Sequence, residues 1–264
     1  MWLGDPSTAQ KVVLFFHGGG YKVPMSPGHL EWCLQAYVRA NPTVEVAVAL
    51  LQYSLSPEAA YPVQLSQAAS ALAHLLQRGF TPQNIIIGGD SAGGNLTAQL
   101  LGHLLHGHPE VKAVQIDEPL LGAFLVSPLL SARTSTGSFR ENGGIDMLSA
   151  HTASLAVSDV LEGTDFEQEY LDGKGWATPV DVDGSWLCGF SQICRNLYVT
   201  VGQQEVLRDQ GVLFAEMLRR RNAHMEILLD IVENEAHDFI LLEGGSKMVG
   251  DATTRMRAWF NSLS

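Results

Sequence analysis

The sequence predicts an α/β fold, a mostly parallel sheet with helices on both faces. Three observations carry this. Short apolar runs recur along the chain, and most are continuous, as strands covered on both faces require. Segments with helical spacing separate them. Strand alternating with helix calls for right-handed crossovers, which make neighbouring strands parallel.

The size suits this fold. The 264 residues fit one large domain spanning 1–264, and 46% hydrophobic residues supply its core. A net charge of −12 disfavours nucleic acid and anionic membrane surfaces as partners. No apolar run approaches the ~20 residues that span a bilayer, and residues 1–11 lack the pattern of a signal peptide. Cys33, Cys188 and Cys194 are too scattered for a disulfide framework. Free thiols in a reducing compartment follow, so the expected location is cytoplasmic.

The first strand is residues 12–16, VVLFF, and His17-Gly18-Gly19-Gly20 follows it directly. Such a loop can present backbone N–H groups to a carbonyl oxygen that becomes negative during attack. His17 reads as a residue that holds this loop in shape. His29 and Glu31 come next and fit either a pocket wall or a helix start. Val46–Leu51 is the second strand. Val63–Gln77 places Leu65, Ala69, Leu72 and Leu76 at helical spacing, and Gly79 is its stop signal.

The third strand, Ile85-Ile86-Ile87, leads into Gly89-Asp90-Ser91-Ala92-Gly93. Gly-x-Ser-x-Gly is a sharp strand-to-helix turn that lifts a serine hydroxyl above a sheet. Together with the earlier glycine loop, it points to acyl transfer at Ser91. Residues 95–105 form the following helix through Leu96, Leu100 and Leu104. His103, His106 and His108 stand at its end. No carboxylate or cysteine completes a metal set there, so a solvated helix terminus is the simpler reading and no metal is expected.

Residues 123–126 are the fourth strand. The alternation then breaks over 131–194, a glycine-rich, acidic segment with one legible helix at 147–161. It is too long for an ordinary connection and reads as a lid or cap. Residues 197–201 are the fifth strand. Glu205 follows four residues later, and Arg208–Arg221 is a helix with Asp209 in its first turn. Glu226–Val232 is the last strand, His237 lies five residues beyond it, and residues 248–260 are the last helix.

A serine hydroxyl needs a base within hydrogen-bond reach, and the base needs an orienting carboxylate. The chain order Ser, acid, His fits Ser91, Glu205 and His237. Asp209 is the rival acid, better placed to start a helix.

At these residues the chain resembles the hormone-sensitive-lipase-like group of α/β-hydrolase esterases. The resemblance covers most of the chain from residue 12 onward. It rests on His17-Gly18-Gly19-Gly20-Tyr21, on Gly88-Gly89-Asp90-Ser91-Ala92-Gly93-Gly94-Asn95, and on Tyr53-Ser54-Leu55-Ser56-Pro57-Glu58 with Tyr61-Pro62. Gly202, Glu205, Leu207, Asp209, His237 and Phe239 complete it. The resemblance implies an α/β-hydrolase fold with an insert between the sixth and seventh family strands. It implies a carboxylesterase acting on small to medium esters, with Ser91 as nucleophile, His237 as base and Glu205 as orienting acid. The oxyanion donors would be the N–H groups of Gly18, Gly19 and Ala92, with Gly19 and Gly20 as the alternative loop pair. No cofactor is required. A hydrolase or cyclase of secondary metabolism, an arylformamidase-like amidase and a non-catalytic ligand receptor are the alternatives on the same scaffold.

Three features depart from the group. Ser54 replaces an arginine, and Asp238 follows the histidine where glycine is usual, adding a charge near the site. Only sixteen residues precede His17, where the group carries upstream strands and cap helices. That predicts an open pocket and an uncovered edge at Val46–Leu51. An apolar edge of this kind pairs with another chain or aggregates, so the expectation is either a homo-oligomer that covers it or a marginally stable chain.

Overall fold

The computed structural model describes residues 1–40 and 43–263. Its first strand, β1 (Trp2–Leu3), lies antiparallel on β3 (Val46–Leu51), and β2 (Lys11–Phe16) follows it in the chain. Helix α1 (Pro27–Cys33) runs into a wider turn at Leu34–Val38. Then come α2 (Val63–Gln77), β4 (Ile85–Asp90), α3 (Ala92–His106) and β5 (Leu120–Val126). The insert holds α4 (Gly137–Asn142), α5 (Ala150–Leu161) and α6 (Phe166–Leu171). The chain ends with β6 (Cys194–Gly202), α7 (Arg208–Arg221), β7 (Glu226–Val232), α8 (Phe239–Gly245) and α9 (Asp251–Ser262).

The sheet order is β1-β3-β2-β4-β5-β6-β7, and every pairing but the first is parallel. This is the α/β-hydrolase fold. The order places β4 in the middle of the sheet, so the turn after it opens above the most buried part of the molecule. Alternate side chains of β2 sort to opposite faces, as the strand period dictates. Val12, Leu14 and Phe16 pack with Leu65, Leu72, Leu96 and Phe214 on the face covered by α2, α3 and α7. Val13 and Phe15 pack with Trp32, Met256 and Phe260 on the face covered by α1 and α9.

The expected open edge at Val46–Leu51 is corrected. Trp2 pairs with Ala49 and Leu3 with Val48, and the N–H of Leu50 donates to the carbonyl of Met1 at 2.9 Å. A strand of two residues is too short to leave a periodic signal. It satisfies part of the edge from within the same chain, so no partner is needed to explain that edge.

The last helix begins at Asp251 rather than at 248. The carboxylate of Glu243, on α8, accepts from the N–H groups of Ala252 and Thr253, both at 2.9 Å. That cap comes from a preceding helix, which a reading of the local pattern cannot see. The insert contains α4 and α6 besides α5. Each of these two is only six residues long. No helix among the described residues is long and apolar enough to cross a membrane.

Candidate active site

Ser91 stands on the turn between β4 and α3 with φ 50° and ψ −112°. That is a strained backbone for a residue with a side chain, and it aims the hydroxyl out of the sheet. The strain is held by close packing. A Cβ on either Gly89 or Gly93 would collide with the carbonyl oxygen of Phe16. Glycine at both positions therefore lets the serine turn press against the end of β2, where the glycine loop begins. The N–H of Ser91 donates to the carbonyl of Val126 at 2.8 Å, which anchors the turn to β5.

His237 lies on the loop between β7 and α8. Its Nε2 is 3.0 Å from Ser91 Oγ, a contact made by two residues 146 positions apart. Glu205 follows β6 and is completely buried. One of its oxygens, Oε2, accepts from the Ser127 hydroxyl at 2.6 Å. Its other oxygen, Oε1, and His237 Nδ1 are both buried without a hydrogen-bond partner. Each group shifts the other's titration, so the two are electrostatic neighbours. Catalytic hydrogen bonds of this kind often close only in the substrate complex.

Asp209 is not in the constellation. Its Oδ2 accepts from the N–H of Ser138 at 2.8 Å, and its Oδ1 pairs with Arg208 at 3.0 Å. It caps α4 of the insert and faces solvent on one side.

The glycine loop is braced from behind. His17 Nδ1 donates to the carbonyl of Gly18 at 2.7 Å, and its ring stacks on Tyr53 with centroids 4.3 Å apart. The Tyr53 hydroxyl donates to the carbonyl of His17 at 2.5 Å. Gly18, Gly19 and Gly20 line the same cavity as Ser91 and His237. Ala92 opens α3, so its N–H is one of the first-turn donors that have no acceptor within the helix. The cavity measures about 410 Å³. Most of its wall is apolar and includes Leu129, Leu148, Ala153, Ala156, Leu207 and Leu241. Ala153 and Ala156 belong to α5, so the insert forms part of the wall.

Several residues that hold the site carry no local signal. Asp146, in the insert, accepts from the N–H of His237, and Asn142 Nδ2 donates to the carbonyl of Glu205 at 2.8 Å. His29 Nδ1 accepts from the N–H of Ser26 at 3.0 Å, which leaves Nε2 to donate to Asp90 Oδ2 at 3.1 Å. His29 thus serves both expected roles, as a helix-start residue and as part of the pocket wall. Asp90 occupies the variable position of the Gly-x-Ser-x-Gly pattern, which by itself gives that residue no role.

Charge is concentrated here. Burial would lower the His237 pKa, but Asp238, with Glu205 and Asp146 behind it, outweighs burial and the group is pushed up to about 9. Burial raises the Glu205 carboxyl above its usual range, and the nearby His237 and the Ser127 hydroxyl pull it partly back. Burial also raises Asp238.

Packing decides the surroundings of several aromatic and histidine side chains. Trp32, Tyr21, Trp176 and Trp186 are all buried in the core, and none lines the catalytic cavity. The solvated terminus expected at His103, His106 and His108 is corrected, because His103 and His108 are buried. His103 Nδ1 accepts from the N–H of His108 at 3.0 Å, and the His108 ring packs against Tyr61 and Trp176. Only His106 is exposed, and it lies on the Trp186 ring.

A family model described as alpha/beta hydrolase fold matches residues 13–241. Lipase 2 of Moraxella sp. is 26% identical over 94% of this chain, and the match spans 59% of that protein. The ethyl acetate hydrolase of Pseudomonas putida is 25% identical over 89% of this chain and 68% of its own length. The arylacetamide deacetylase of Oryctolagus cuniculus is 25% identical over 90% of this chain and 70% of its own. Among solved structures, an esterase/lipase from an uncultured bacterium superposes with TM-score 0.78 at 24% identity, covering 99% of this chain and 80% of that one. A hormone-sensitive lipase from a metagenome library gives 0.77 at 23% identity, covering 100% and 79%.

Proposed function

This chain belongs to the alpha/beta-hydrolase family, and from that premise we propose that it is a serine carboxylesterase acting on small to medium esters. The observation that carries the reading is the 3.0 Å contact between Ser91 Oγ and His237 Nε2 at the glycine-lined end of an apolar cavity.

In this reading His237 takes the proton of Ser91 as Oγ attacks the ester carbonyl. The negative oxygen is met by the N–H groups of Gly18, Gly19 and Ala92. The tetrahedral carbon expels the alkoxy group, which takes the proton from His237 Nε2 and leaves as the alcohol. A water then gives a proton to His237 and attacks the acyl-enzyme. Collapse returns that proton to Ser91 Oγ and releases the carboxylic acid. Glu205 holds the imidazole and stabilises its charged form. The insert, residues 131–194, serves as the lid, with α5 against the acyl or alcohol portion.

A second reading keeps the same triad but uses an amide. The similarity to an arylacetamide deacetylase favours it over the secondary-metabolite and receptor readings. A fluorophosphonate probe tests the shared chemistry, because it labels an activated serine and should label Ser91 alone. A p-nitrophenyl ester series of rising chain length, run beside an arylacetamide, then ranks ester against amide. Absence of labelling and of ester turnover would refute the enzyme reading.

A further inference from the structure

Asp238 is the one acidic side chain that lines the cavity among the described residues. Its backbone is left-handed, with φ 53° and ψ 36°, a region where glycine is at ease and aspartate is tolerated. The backbone therefore does not ask for a carboxylate. The side chain is 7% exposed, and Oδ2 lies 3.2 Å from His237 Nε2. This is the same nitrogen that contacts Ser91. The other oxygen, Oδ1, is buried without a hydrogen-bond partner.

Among the described residues, no cation of the cavity wall is free to balance it. His29 gives its Nε2 proton to Asp90, and Lys22, at the rim, pairs with Asp159. His237 can balance Asp238 only when protonated, and the attack on an ester needs it neutral. During the reaction a buried carboxylate would face the lone pair of Nε2 with no partner, which is costly. The substrate can remove that cost. Nε2 is the atom that hands a proton to the departing oxygen, so a group beside it faces the alcohol portion. A leaving oxygen in hydrogen-bond reach of Nε2 lies within roughly 6 Å of Asp238 Oδ2. A two-carbon spacer bridges that gap.

We propose that Asp238 forms a cation subsite beside the catalytic nitrogen, and that preferred substrates are esters of alcohols bearing an ammonium group about two carbons from the ester oxygen. The inference rests on the esterase reading above. The bound ammonium takes over the role of the imidazolium proton, which passes to solvent and leaves His237 free as base. Glu205, Asp146, Asp90 and His29 also act on this pair from the loop after β6, the insert, β4 and α1. The ammonium changes only the Asp238 side.

The test compares 2-(dimethylamino)ethyl butyrate, protonated at neutral pH, with its neutral isostere 3-methylbutyl butyrate. Wild type, Asp238→Asn and Asp238→Gly are assayed at low and high salt, with fluorophosphonate labelling of Ser91 as the check that each site is assembled. Wild type should favour the cationic ester in kcat/KM by on the order of tenfold. Both variants should bring the ratio near one. The kinetic pKa in kcat should be lower for the cationic ester than for the neutral one in wild type only. The wild-type preference should persist at high salt, whereas steering by surface charge is screened. A wild-type ratio of one, a ratio retained by labelled variants, or a preference lost in salt would each overturn the subsite. Turnover of the neutral ester without cation preference refutes the subsite alone. No turnover and no labelling refutes the esterase reading as well.

Discussion

Asp146 holds the backbone of His237. Its Oδ1 accepts from the His237 N–H at 3.1 Å, and its Oδ2 accepts from the N–H of Val206 at 2.6 Å. Val206 is the residue after Glu205. One carboxylate from the insert therefore fixes the loop that carries His237 and the loop that carries Glu205. The insert braces both loops as well as forming part of the cavity wall.

Asp146→Ala should lower kcat on the order of tenfold to a hundredfold, because small misplacements of reacting groups cost that much. Asp146→Asn keeps one acceptor and should fall between. Steady-state kinetics with a p-nitrophenyl ester checks this. A variant with unchanged kcat and only a lower melting temperature would show that Asp146 is structural.

Ser91→Ala should abolish turnover and labelling while leaving the fold intact. The loss expected for a triad nucleophile is at least about 10³-fold. Retention of more than a few per cent of kcat would mean another nucleophile.

Glu205→Gln should cost far more than Asp209→Asn. Glu205 is fully buried in the field of His237, whereas Asp209 caps the N-terminus of α4 through Ser138. The first should lose about 10³- to 10⁴-fold in kcat. The second should stay within a few-fold, with some loss of thermal stability. Comparable losses would reverse the assignment.

The base must be neutral to act, and His237 is pushed up to about 9 because Asp238, Glu205 and Asp146 outweigh its burial. For a neutral ester, kcat/KM should therefore rise with pH and level off near or above 9. Asp238→Gly removes the carboxylate nearest Nε2 and should move the midpoint down toward the ordinary histidine range. A pH profile of kcat/KM decides it, and an unmoved midpoint would assign the shift to Glu205 and Asp146.

The sequence by itself determined a mostly parallel sheet, the succession of its main strands along the chain, and the residues Ser91, Glu205 and His237 as a candidate set. These are local properties. A continuous apolar run reports a buried strand wherever it lies, and glycines at fixed offsets report a turn that side chains would block. The helices Val63–Gln77 and Arg208–Arg221 were legible to the residue because each has several turns of periodic spacing. Only tertiary structure decided the rest. Trp2–Leu3 has no pattern of its own and becomes a strand through β3. Asp146 and His237 are 91 positions apart, and Ser127 and Glu205 are 78 apart. His103 and His108 look solvated in the chain and are both buried, His108 against Trp176 and Glu169 of α6 and His103 against the chain that turns back at His108 and Lys112. A carboxylate or imidazole has the same composition whether it caps a helix, braces a loop or meets a substrate. Its role is fixed by which distant groups the closed fold brings within 3 to 4 Å, the range of hydrogen bonds and close ion pairs.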